Sequence, residues 1–142
     1  MSDCIFCSVV ARQLSGSIVF EDDATSAFLD LHPITAGHTL VVPKRHAANL
    51  ADLSPQTGGQ LFATAMSVGA ALRKSGLKCD GISLYLADGE VAGQDVFHVH
   101  LHVVPRFRGD GFGHRFPPEY PREAPREELD DVAEKIRNAL PR

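Results

Sequence analysis

The chain has no long apolar run. Nowhere in its 142 residues is there anything near the roughly 20 consecutive apolar residues that a membrane-spanning helix needs. A membrane-embedded protein is therefore not expected. The start, MSDCIFCSVV, lacks the basic flank and extended apolar core of a secretory leader. Cysteine is scarce and odd in number, at three, which argues against a secreted disulfide framework and for a reducing, cytoplasmic setting. Positive charge is also in short supply: 14 Lys and Arg against 18 Asp and Glu leave a net charge of -4. Non-specific nucleic-acid binding needs a basic surface, so that class is set aside. A small anionic ligand held by local donors is not excluded. There is no internal repeat and no low-complexity stretch.

What is present suits one compact domain. Hydrophobic residues make up 44% of the chain, enough for a core, and the 23% of charged residues are mixed in sign. The chain is read as a single domain over residues 1–142, with a core from about 4 to 113 and a C-terminal extension that carries a helix at about 126–139.

Residues 2–14 have room for a short helix after Cys4. SIVFEDD and SAFLDLHP read as two strands close enough for a hairpin, the second stopped by Pro33. Thr39 to Val42 form a β-branched strand that Pro43 ends. Ser54 followed by Pro55 is a helix start, and that helix runs to Gly76, a natural C-terminal glycine. GISLYLA and DVFHVHLHVVP read as strands separated by the glycine-bearing loop DGEVAGQ. EELDDVAEKIRNAL is an amphipathic terminal helix. The order of elements predicts an α+β fold: a mostly antiparallel five-stranded sheet, a long central helix and short terminal helices.

Residues 98–104 read HVHLHVV, which places three of the seven histidines at alternate positions. In a strand this puts His98, His100 and His102 on one face and Phe97, Val99, Leu101 and Val103 on the core face, with Pro105 ending the ladder. A merely solvated face would use threonine, lysine or glutamate more readily. Histidine titrates near neutrality, and its neutral ring offers one nucleophilic nitrogen while the other is held by a hydrogen bond. Asp30 has two acceptor oxygens, enough for two ribose hydroxyls, although a solvated strand-end acid looks the same. Gly89 and Gly93 permit close backbone approach, either to cradle a phosphate or simply to turn. CIFC sets Cys4 and Cys7 at metal-ligand spacing, which alone reads as zinc, redox or coincidence. Cys79 reads as a small buried apolar residue.

Together HVHLHVV, AGQDVFHVHLHVVPR and AFLDLHPITAGHTLVVPKRH resemble the histidine-triad (HIT) family, over about residues 4–113. The likeness is to its zinc-bearing bacterial, Hint-like branch. The resemblance implies a HIT-like fold and hydrolysis or transfer at the α-phosphate of purine nucleoside phosphoramidates or adenylates. It implies a covalent nucleotidyl-histidine on His100, phosphate contacts from His102, orientation by His38, and a phosphate or leaving-group contact from Gln94. Asp30 would bind the ribose, Gly93 would lie at the phosphate, and Phe6, Val9, Phe28, Leu29 and Leu31 would wall the base pocket. Cys4, Cys7, His46 and His98 match the ligands of a structural zinc, which leaves the chemical step metal-free. A homodimer, with the long helix and a central strand at its interface, is also implied. The alternatives are a dinucleoside polyphosphate hydrolase, a nucleotide-binding module with little catalysis, and a hydrolase using the triad as catalytic zinc ligands.

Two positions depart from the family pattern. Ala87 stands where many members have asparagine, and Asp95 where many have serine or threonine. Alanine removes a donor. An aspartate beside an anionic substrate is unfavourable unless it points away or is protonated.

Overall fold

The structure, a computed structural model, describes residues 3–141. Met1, Ser2 and Arg142 lie outside the described residues, including the Ser2 end of the expected N-terminal helix. The chain divides into two compact units, one up to Gly111 and one from Phe112 onward.

The first unit begins with α1 (Ile5–Val10), capped by the Cys4 side chain, which accepts from the Cys7 amide. The hairpin of β1 (Ile18–Glu21) and β2 (Thr25–Leu29) follows, then β3 (Thr39–Pro43), α2 (Pro55–Lys74), β4 (Gly81–Tyr85) and β5 (Leu101–Arg106). The five strands form one antiparallel sheet in the order β1-β2-β3-β5-β4. Among the described residues, no helix is long and apolar enough to cross a membrane.

Helix α2 starts where the serine-proline signal placed it. Ser54 Oγ accepts from the Thr57 amide, and Ser75 and a left-handed Gly76 close the C-terminus. Its buried stripe of Leu61, Ala65, Val68 and Leu72 packs on Ala27, Val41, Val99 and Val103 of one sheet face. The opposite face carries a second cluster, in which Phe6 and Val9 of α1 meet Phe28, Leu40 and Val42. The sheet is thus covered on both faces, as its β-branched strands require. Cys79 is half-buried against the α2 cluster.

Two details of the histidine segment differ from the strand pattern. Strand β5 begins only at Leu101, so His98 and His100 lie in the bent approach to it, and Phe97 is half-exposed rather than part of the core. Val99 keeps its inward side chain because its amide donates to the Ala47 carbonyl at 2.8 Å, outside the ladder. Pro105 does not end β5, which continues to Arg106 with Pro105 opposite Ile82. The Pro105 carbonyl accepts from Thr35 Oγ1 at 2.7 Å, on the side away from β4. In an antiparallel strand the N–H and C=O of one residue point the same way, so the missing donor also falls on that side. There β3 has already ended its pairing with β5, at Val103, and no ladder bond is lost.

The second unit contains α3 (Arg126–Ala139), with Glu127 and Glu128 in its first turn and Arg137 in its last, which complements the helix dipole. Arg122 reaches Glu128 at 3.3 Å, and the rings of Phe116 and Tyr120 stack at 4.0 Å. Leu129, Val132, Ile136 and Leu140 form an exposed apolar stripe.

Gly37 sets the approach to β3. Its φ is +100°, and a Cβ there would lie 2.9 Å from both Leu72 Cδ2 and Leu77 Cδ1. Gly37→Ala therefore combines backbone strain with a clash against α2 and should lower unfolding free energy by roughly 1–3 kcal/mol in urea titration. A loss below about 0.5 kcal/mol would mean that the turn re-forms at no strain.

Candidate functional site

Five of the seven histidines, His38, His46, His98, His100 and His102, sit in two linked clusters. His98 is fully buried. Its Nε2 lies 2.8 Å from the Pro43 carbonyl, which can only accept, so Nε2 carries the proton and Nδ1 a free lone pair. That lone pair faces Cys4 Sγ at 3.3 Å, Cys7 Sγ at 3.5 Å and His46 Nδ1 at 3.2 Å. Cys7 Sγ and His46 Nδ1 are 3.4 Å apart. Cys4, Cys7, His46 and His98 thus form one four-donor cluster, as their spacing and resemblance implied.

The fit to a metal can be tested on those distances. Tetrahedral bonds of about 2.3 Å to sulfur and 2.05 Å to nitrogen require N–N and N–S edges of about 3.3–3.6 Å. The four measured edges, 3.2–3.5 Å, match that requirement. Two nitrogens and two sulfurs so close together, with the His98 Nδ1 lone pair turned inward, suit a thiophilic divalent ion.

The second cluster begins with His100. Its Nδ1 donates to the His98 carbonyl at 2.8 Å, which leaves Nε2 unprotonated in the neutral ring. The edge of Phe6 packs against this ring, with centroids 5.1 Å apart. A parallel argument orders His38 and His102. The Ile34 amide donates to His38 Nδ1 at 3.1 Å, so the His38 proton sits on Nε2. That proton is donated to His102 Nδ1 at 2.9 Å, and His102 in turn carries its own proton on Nε2. Tyr85 lies flat on the His102 ring at 4.0 Å.

This order requires neutral rings, and burial provides them. Burial is the main cause that lowers the pKa of His38, partly opposed by Asp30. His102 is lowered to about 4, by burial first and then by the neighbouring His100 and His38. Burial chiefly, with Asp30 and Asp95 adding, raises the Tyr85 hydroxyl.

A cleft of about 610 Å³ opens beside these rings. Phe6, Val9, Phe28, Leu29, Asp30, Leu31, His100 and His102 all line it. So do Ile5, the Leu14–Ser17 loop, Leu40 and Val96, which sequence reasoning missed. These come from segments far apart in the chain and carry no motif. Tyr85 was missed too; only the β4–β5 register, Tyr85 opposite His102, reveals its place. His38 faces another groove, of about 660 Å³, which is apolar and runs from α2 to the β1–β2 hairpin. Neither His100 nor His102 is among the residues that line that groove.

One Asp30 oxygen accepts from the His32 amide at 2.9 Å, and the other lies 3.6 Å from His38 Nε2. Half of its acceptor capacity is therefore spent on its own turn.

Gln94 and Gly93 are not among the cleft's lining residues. Gln94 Nε2 donates to the Ala48 and Val96 carbonyls at 2.7 and 3.1 Å, and Oε1 accepts from the Gly89 amide at 2.8 Å. The Gly93 amide donates to Glu90 O at 2.9 Å. Both residues brace the loop through these bonds. Asp95 does not point away: Oδ1 lies 3.6 Å from His100 Nε2, with the side chain 83% exposed.

Residues 11–109 match the HIT domain family model, and the chain belongs to the HIT family. An uncharacterized HIT-like protein of Borreliella burgdorferi is 43% identical over 114 residues, covering 80% of this chain and 82% of its own. A HIT family protein of Bacillus anthracis superposes with a TM-score of 0.89 at 36% identity, covering 99% of both chains. A zinc-bound histidine triad family protein of Mycobacterium smegmatis superposes at 0.76 with 37% identity, covering 97% and 98%. The five-stranded antiparallel sheet, long central helix and short terminal helices are those expected from the sequence. Family membership supports a general nucleotide-binding and hydrolase function for this site.

The depressed histidines tie stability to pH. The unfolded chain takes up protons near pH 6.5, while folded His102 resists protonation down to about 4. Its contribution is complete above pH 6.5 and is lost as pH falls towards 4. Between pH 7 and pH 5 the wild type should lose about 1–2 kcal/mol more than His102→Gln in urea titration. Equal losses would show that His102 accepts a proton in the folded state without cost.

Proposed function

We propose that the protein is a nucleotidyl hydrolase, or transferase, acting at the α-phosphate of purine nucleoside phosphoramidates or adenylates. The observation that carries this reading is the free Nε2 of His100, its other nitrogen held by the His98 carbonyl, at the wall of a cleft beside Asp30. An imidazole whose Nδ1 is held by a carbonyl presents Nε2 as its attacking nitrogen and needs no separate base.

In the first step His100 Nε2 attacks phosphorus. A P–N bond to the enzyme forms, the bond to the leaving group breaks, and the leaving group keeps that electron pair and takes up a proton. In the second step water attacks phosphorus and gives up a proton to solvent, which offsets the proton taken up by the leaving group; the P–N bond breaks with its electron pair returning to His100 Nε2, and the nucleoside monophosphate departs. The Nε2–H of His102 donates to a phosphoryl oxygen as its charge grows. His38 holds His102 in the donating tautomer and is itself held by the Ile34 amide. Asp30 accepts from the ribose, and Phe6, Val9, Phe28, Leu29 and Leu31 enclose the base. Gln94, through Ala48, Val96 and Gly89, positions the loop that carries Asp95.

Cys4, Cys7, His46 and His98 hold a structural zinc ion in this reading, which places the chain in the zinc-bearing branch of its family. Four protein ligands leave no open position for water, so the ion ties α1 to the segment entering β5 and takes no part in the reaction. Thiolate ligands fit a reducing, cytoplasmic compartment. The protein acts as a single domain with a C-terminal extension. It forms a homodimer through α2 and a central strand of the sheet, a reading supported by the exposed Phe62 and Met66 of α2.

One observation favours a second reading, a nucleotide-binding module with little catalysis: the Asp95 carboxylate lies close to the atom that must meet an anionic phosphate.

AMP release from adenosine 5′-phosphoramidate, measured for wild type and His100→Ala together, separates the two. Hydrolysis by wild type, falling by roughly a thousandfold or more in the variant, is the expected result. AMP binding without turnover by wild type would leave the binding module. Zinc is tested separately: protein purified without chelator should contain about one equivalent per chain, and Cys4→Ser with Cys7→Ser should remove it and lower the Tm. Less than half an equivalent in wild type would reject the structural ion.

A further inference from the structure

Among the described residues, the lining of the triad cleft contains two carboxylates, Asp30 and Asp95, and no lysine or arginine. This is an unusual charge balance for a site that receives a phosphate. Asp30 is partly committed: one oxygen accepts from the His32 amide, the other lies 3.6 Å from His38 Nε2, and its remaining lone pairs are those the ribose uses. Asp95 is not committed in this way. Its side chain is 83% exposed at the cleft and its Oδ1 stands 3.6 Å from the nucleophilic Nε2 of His100. It is also fixed from behind, because the neighbouring Gln94 is buried and bound to three backbone groups.

The consequences depend on what the substrate brings. Phosphorus must approach His100 Nε2, and the leaving atom lies one bond further on, within reach of an exposed aspartate side chain. A leaving group rich in negative charge, such as a further phosphate, adds repulsion to that already felt by the α-phosphate. A leaving group with a positive charge near the scissile bond turns the same carboxylate into an attractive partner. With no lysine or arginine among the described lining residues to offset it, Asp95 is the charge that decides between them. Its reach is visible within the protein: it adds to the rise of the Tyr85 hydroxyl and partly opposes the lowering of His102.

Resting on the nucleotidyl-hydrolase reading, we propose that Asp95 is a specificity-determining residue that selects the charge of the leaving group. The substrate class is nucleoside 5′-phosphoramidates of amines carrying a second, cationic group, in preference to polyphosphates or amines carrying a carboxylate. The reaction is balanced. His100 displaces the amine, the P–N bond electrons stay on the amine nitrogen, and that nitrogen gains a proton. Water then releases the nucleotide from His100.

The test uses three adenosine 5′-phosphoramidates, matched in amine basicity and size, whose tails end in trimethylammonium, tert-butyl or carboxylate. kcat/KM is measured for wild type, Asp95→Asn and Asp95→Ser. Opposite unit charges several ångströms apart at a wet surface differ enough for wild type to favour the cationic over the anionic tail by about tenfold at low salt. In both variants the ratio should fall to about twofold or less, and in wild type it should shrink as salt is added. A change in folding or loop position would alter all three rates together and leave the ratio intact. An unchanged ratio in Asp95→Asn, or no preference in wild type, overturns the proposal. If wild type hydrolyses none of the three, the hydrolase reading fails. The same ratio is then read from their dissociation constants by calorimetry, where equal affinities in wild type and Asp95→Asn would overturn the role of Asp95.

Discussion

The hydrogen bond from His98 Nε2 to the Pro43 carbonyl is the contact on which both clusters depend. Proline cannot continue the ladder as a donor, but its carbonyl is free to accept, and at the end of β3 it accepts from a buried imidazole. This one bond fixes the ring's tautomer. The remaining nitrogen must then face Cys4, Cys7 and His46 with a lone pair. The same residue's backbone carbonyl receives the proton of His100 Nδ1. A metal cluster and a nucleophile are thus oriented by opposite ends of a single residue, and movement of either is felt by the other.

Neutrality is the second constraint. A charged His102 would have nothing to accept the His38 proton, and the order running from the Ile34 amide through His38 to His102 would fail. Burial against Tyr85, Leu40 and the sheet makes the charged ring costly enough to prevent this. The arrangement presents one nitrogen that donates and one that attacks, on rings only 5.0 Å apart. Identical side chains do different work because their backbone partners differ in what they can give or accept.

The loop before the triad is braced from within. Gln94 lies beside the triad in sequence, yet its amide is spent on Ala48, Val96 and Gly89. These three bonds satisfy half-buried backbone groups that would otherwise lack a partner. The adjacent residue, Asp95, faces solvent and the nucleophile instead. The loop therefore places a braced amide next to a free carboxylate, and the carboxylate is what a ligand meets.

The sequence by itself determined the local parts. Alternation identified the strands, Ser54 and Pro55 placed the start of α2, and CIFC with HVHLHVV singled out Cys4, Cys7, His98, His100 and His102, since these depend only on chain periodicity and side-chain chemistry, whereas His38 and His46 were implied only by the family resemblance. It could not reveal that β5 starts late, after His98 and His100 have bent away from the ladder, nor that Pro105 would be tolerated. Those outcomes rest on where β3 stops pairing and on a carbonyl supplied by another strand. Only the tertiary structure decided which imidazole nitrogen holds the proton, that Tyr85 covers His102, and that Asp95 turns towards His100. Each is a matter of partners far apart in the chain, and a hydrogen bond or a Coulomb interaction is set by distance in space, of which sequence spacing carries no record.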